Sequence, residues 1–145
     1  MTGLVYAPDV LVAAERGDPA LWRLHRAALL RDQTPLVLAP VLAGAAFPTP
    51  GAGLPTADGA TDRTGEPATR LAALLAGCAL VDFPVGAAWD VLRLRRLAPG
   101  TALVTAAVVL AALAARAAVV SADPDRYLRP AHALGITLST IAPTG

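Results

Sequence analysis

The sequence predicts an α/β sandwich in three layers, with a parallel sheet of about five strands flanked by helices. Short β-rich runs alternate with longer stretches of helical period, the pattern that sets strands side by side and helices across their faces. The runs are Leu4 to Tyr6, Leu36 to Leu38, Ala79 to Asp82, Ala118 to Ser121 and Ile136 to Ile141. The chain has 145 residues, 55% hydrophobic and 16% charged. That suits a single domain over residues 1–145 with a real core, and it is too short for two ordinary domains.

Each element has a local reason. Asp18-Pro19 supplies an N-cap and a first-turn proline, after which Leu21, Trp22, Leu24, Ala28 and Leu29 share one helical face, with Arg23, Arg26 and Arg31 outside it. The helix is expected to end near Asp32. Prolines bound the second strand, and Pro40 to Phe47 begins another helix. From Pro48 to Pro67 nearly every residue is small, polar or proline, so a mobile loop is expected there. A helix from about Ala68 to Ala76 closes at Gly77. After the third strand comes an amphipathic helix carrying Trp89, Leu92 and Leu97, broken by Pro99-Gly100. Thr101 is expected to cap an apolar helix through Ala115, and Asp123-Pro124 to open the last helix by the cap-then-proline pattern.

Composition excludes several classes. Twelve arginines face eleven acids for a net charge of +1, so there is no global basic field of the kind that marks a dedicated nucleic-acid binder. The single cysteine, Cys78, rules out an internal disulfide framework and a cysteine-based zinc site. Met1 to Val12 lacks the features of a secretory signal, and a cytoplasmic protein is expected. Mean hydropathy is +0.55, and the most apolar stretch, Ala102 to Val120, approaches the length of a membrane span. It is interrupted by Arg116 and reads instead as a buried helix followed by a buried strand. No glycine-rich phosphate loop is present, and His25 and His132 have no partner at ligand spacing, so both read as surface histidines.

Three stretches, in their order along the chain, resemble a known family. They are Val5-Tyr6-Ala7-Pro8-Asp9-Val10-Leu11-Val12-Ala13-Ala14-Glu15-Arg16-Gly17-Asp18, then Pro35 to Leu42, then Gly100-Thr101 through Ser121-Ala122-Asp123-Pro124-Asp125. Together they resemble PIN domains, above all the small VapC-type toxin ribonucleases of bacteria. The likeness covers nearly the whole chain, with the Pro48 to Pro67 loop as an insertion. In that family, carboxylates at the ends of parallel strands hold Mg²⁺ or Mn²⁺, which activates water for phosphodiester hydrolysis.

Carried over position by position, most of those acids are missing. The first-strand acid falls on Ala7, the acid after the second strand near Gly44, and the acid after Gly-Thr on Leu103 or Ala106. Only Asp123 matches, with Asp125 close behind and Asp9 two residues beyond the usual first position. The resemblance therefore implies a degenerate PIN-like protein without metal chemistry or bound cofactor, acting through protein interaction as a homodimer or within a complex. The alternative is a metal-dependent ribonuclease toxin restrained by an antitoxin. There, Asp9 and Asp123 would be catalytic, Asp9, Asp123 and Asp125 would hold Mg²⁺ or Mn²⁺, and Arg93, Arg95 and Arg96 would contact RNA phosphates. Trp22, Leu29, Trp89, Leu92 and Leu97 are the candidate interface, since leucines exceed what one buried stripe needs on their two helices.

Overall fold

The computed structural model describes residues 3–41, 66–82 and 85–143. Five strands, β1 (Gly3–Tyr6), β2 (Leu36–Leu38), β3 (Ala79–Val81), β4 (Ala117–Val120) and β5 (Thr140–Ile141), form one sheet in the order β3-β2-β1-β4-β5. Every neighbouring pair is parallel. The helices between them are α1 (Pro8–Glu15), α2 (Pro19–Leu30), α3 (Glu66–Ala76), α4 (Val85–Leu97), α5 (Leu103–Ala115) and α6 (Asp125–Ala133). Residues 39–41 are also helical.

The strand order dictates the layers. From β1 the chain steps outward through β2 to β3, then crosses back to β4 and β5. Right-handed crossovers running in opposite directions put their helices on opposite faces of the sheet. The packing agrees: α1 contacts α2 and α3, whereas α4, α5 and α6 contact one another. This is the three-layer α/β sandwich expected from the sequence.

Central β1 and β4 are buried almost throughout, as strands covered on both faces must be. Helix α5 lies over both, and Ala106, Ala107, Val108, Val109 and Ala112 are buried along it. Such all-round apolarity marks a core helix. Arg116 turns the chain from α5 into β4 in the left-handed conformation (φ 51°), so the apolar stretch splits into helix and strand. Among the described residues, no helix is long and apolar enough to cross a membrane.

Several local expectations need correction. Asp18 caps α2 as expected, its carboxylate accepting the Ala20 N–H at 2.9 Å. Thr101 does not cap α5: its hydroxyl donates to the Ala98 carbonyl at 2.8 Å, closing the end of α4, and Ala102 occupies the N-cap. Asp123 is likewise not the cap of α6, which begins after Pro124 with no side-chain cap. The last strand shrinks to two residues because the Ile136 N–H is drawn back to the Ala131 carbonyl at the end of α6. Glu66 and Pro67 belong to α3, not to the expected loop; the rest of that loop, and most of the helix expected from Pro40 to Phe47, lie outside the described residues.

Candidate functional site

Strand order reverses between β1 and β4, and in open parallel sheets a crevice forms beyond the strand ends at such a point. Here β1 ends at Tyr6-Ala7 and β4 at Val120-Ser121, with the Ala7 N–H on the Val120 carbonyl at 3.2 Å as the last rung between them. Ala7 is the extended N-cap of α1 and Pro8 starts its first turn. Asp9 is thereby placed in the first turn of α1, where the helix dipole favours a carboxylate.

The Asp9 carboxylate is engaged on both oxygens. Oδ1 accepts the Ser121 hydroxyl at 3.1 Å, and Oδ2 accepts the Ala122 N–H at 2.7 Å. Ser121 is fully buried and its Oγ also accepts the Asp123 N–H at 3.0 Å. A carboxylate from one strand end thus staples the backbone leaving the other. Tyr127, buried behind this network, has its pKa pushed up to about 12, chiefly by burial and next by the Asp9 carboxylate, while the Arg126 charge opposes the rise. Asp123 is exposed and sits 3.5 Å from the Arg126 guanidinium. Asp125, also exposed, opens α6.

The structure thus brings Asp9 and the Asp123 segment to one place from distant parts of the chain. The donor set does not fit the Mg²⁺ or Mn²⁺ that the resemblance implies. Hard divalent ions need several free oxygen ligands, whereas Asp9 is committed to Ser121 and Ala122 and Asp123 faces an arginine. Ala7, Leu103 and Ala106 offer no side-chain oxygen, and Gly44 lies outside the described residues. Among the described residues, no three His, Cys, Asp or Glu side chains gather closely enough to hold a metal ion.

The arginine cluster is exposed near the end of α4. Arg93 lies 3.9 Å from Asp90, and the Arg95 Nε donates to the Thr101 carbonyl at 3.1 Å. On the same helix, Val91 and Leu94 are buried, so Trp89 (66% exposed), Leu92 (47%) and Leu97 (62%) face outward. Trp22 is half-buried against the core, while Leu29 is exposed. The edge strand β3 adds exposed Leu80 and Val81.

Three residues with specific roles escaped the sequence reading. Ser121 and Tyr127 complete the switch-point network. His25 is not a surface histidine: with Leu21 and Ala28 it forms the buried stripe of α2, and its Nδ1 lies 2.8 Å from the Tyr6 hydroxyl. The spacing of residues 21, 25 and 28 is the signal that could have found it. Cys78 is half-buried beside this pair, its Sγ donating to the Leu74 carbonyl, and burial pushes its thiol up to about 12. No protein-family model matches the chain, and no curated protein matches it significantly.

Proposed function

We propose that the chain is a degenerate PIN-like domain of the cytoplasm that lacks metal-dependent nuclease chemistry and works through protein contact, as a homodimer or in a larger complex. The observation that carries this reading is the commitment of Asp9. The one acid near the first-strand position is spent holding β1 to β4, through bonds to Ser121 and Ala122. A metal arriving there would have to break both bonds while meeting few other oxygens.

The contact surface in this reading is α4. Trp89, Leu92 and Leu97 project from it, and an exposed cluster of large apolar side chains gains most when a partner covers it. Light scattering across a concentration series is expected to show a mass rising above the monomer, with Trp89→Ser shifting the rise to higher concentration. A constant monomer mass rules out the homodimer and leaves a heterologous partner.

The catalytic half of the proposal is tested by incubating the purified chain with structured RNA and Mg²⁺ or Mn²⁺. No cleavage above a metal-free control is expected. Metal-dependent cleavage that disappears in Asp123→Ala would instead establish the ribonuclease toxin, with Asp9, Asp123 and Asp125 as ligands and Arg93, Arg95 and Arg96 on the RNA.

A further inference from the structure

A groove of about 400 Å³ lies where the α4–α5 turn meets α6, lined on one side by Gly100, Thr101, Ala102 and Thr105 and on the other by Arg126 and Arg129. No acid lines it. Ala102 and Thr105 belong to the N-terminal end of α5, a helix of 13 residues without a side-chain cap. The N–H groups of a helix's first turn have no intrahelical acceptor, and here those of Leu103, Val104 and Thr105 find none among the described residues either. They carry the positive end of the helix dipole.

A second observation concerns a side chain and not the backbone. Thr105 is only 7% exposed, yet its hydroxyl forms no hydrogen bond among the described residues. No fully buried side-chain oxygen in the described chain lacks a partner, so this hydroxyl is reached from the groove that Thr105 lines. The other threonine is occupied: the Thr101 hydroxyl bonds the Ala98 carbonyl, and the Thr101 carbonyl takes the Arg95 guanidinium. Thr105, nearly buried, and two arginines thus line one groove beside the start of α5. A helix N-terminus, a hydroxyl and two guanidinium groups around a groove lined by no carboxylate describe an anion site.

We propose that this groove binds the phosphate of a small phosphate monoester. Two arginines match a dianion in charge, and the donors exceed what a carboxylate can accept. The volume falls in the range of small-molecule sites and leaves room for an organic group beyond the phosphate. Asp123, at 3.5 Å, holds Arg126 in place and offsets part of its charge, so Arg129 supplies the larger share of the attraction. The inference goes beyond the proposed function and does not depend on it.

The test is a titration of the full ¹⁵N-labelled chain, followed by amide chemical shifts, with inorganic phosphate, glycerol 3-phosphate, glycerol, and sodium chloride at matched ionic strength. The Leu103, Val104 and Thr105 amides are expected to shift saturably with both phosphates and not with glycerol or chloride. Thr105→Val, which keeps the side-chain volume, and Arg129→Gln are each expected to weaken binding about tenfold, the size of one charge-assisted hydrogen bond. Arg126→Gln replaces either variant whose spectrum shows that it has not folded. The site is overturned if these amides do not saturate, if chloride moves them equally, or if affinity survives the folded variants unchanged. Saturation by inorganic phosphate but not by glycerol 3-phosphate would overturn the assignment to an ester.

Discussion

Asp9→Ala is expected to lower the stability of the folded chain by about 2–3 kcal/mol. The substitution strips the fully buried Ser121 hydroxyl and the Ala122 N–H of their shared acceptor. Each donor left unmet costs roughly 1–3 kcal/mol, and losing a carboxylate from a helix's first turn adds a few tenths more. The total stays toward the lower end because Asp9 is only part-buried and Ala122 is exposed, so water can reach part of the gap. Asp9→Asn keeps the shape and one acceptor oxygen but turns an amide donor toward another donor, and is expected to lose about half as much. Urea unfolding with and without Mg²⁺ measures both. A midpoint that Asp9→Ala leaves unchanged or raises, together with stabilisation of the wild type by Mg²⁺, would mean that Asp9 is a repelled metal ligand and not a staple.

The same residue shows how far the sequence could be read. Strand positions followed from short apolar runs between turn signals, and the parallel order from their alternation with helices. An acid just beyond β1 and another just beyond β4 were visible as candidates through the PIN resemblance, and a parallel sheet places both strand ends at one crevice. What those acids bond to was not visible. Ser121 reads as an ordinary polar residue closing an apolar strand, and only the three-dimensional approach of residue 9 to residue 121 gives its hydroxyl a purpose.

The misread residues share a cause. Thr101 and Asp123 both look like helix caps, but a short polar side chain bonds whichever group is best placed. For Thr101 that is the carbonyl of Ala98 at the end of the preceding helix, and for Asp123 the guanidinium of Arg126. On α4 the reading offered Trp89, Leu92 and Leu97 as an interface without naming the core stripe, which is Val91 and Leu94, while the larger Trp89 and Leu97 face outward. Hydrophobic period identifies a helix more reliably than it identifies which of two apolar faces turns inward.

His25 carries the remaining expected effect, a loss of stability as the solution is acidified. Burial lowers its pKa below the ordinary 6.5. The unfolded chain therefore takes up a proton below about pH 6.5 that the native chain does not, and stability must fall with pH until the native ring also protonates. The stabilising contribution is complete above 6.5 and is lost on the acid side, with a limiting slope of about 1.4 kcal/mol per pH unit. Among the described residues, no carboxylate is a hydrogen-bond or ring partner of His25. Its neighbours are the Tyr6 hydroxyl, held protonated by its own burial, the edge of Trp22 and the backbone at Gly77. Packing at Gly77 is close: a Cβ added there would lie 3.0 Å from Nε2. His25→Gln offers the Tyr6 hydroxyl an amide oxygen but cannot titrate. The variant is expected to be about 1–2 kcal/mol less stable at neutral pH, from lost packing and a poorer hydrogen bond. Between about pH 6.5 and pH 5, above the range where most carboxylates titrate, the wild type is expected to weaken while the variant stays nearly flat, so the two stability curves converge. Curves that run parallel across that window would show that the buried ring does not set the acid limit of this fold.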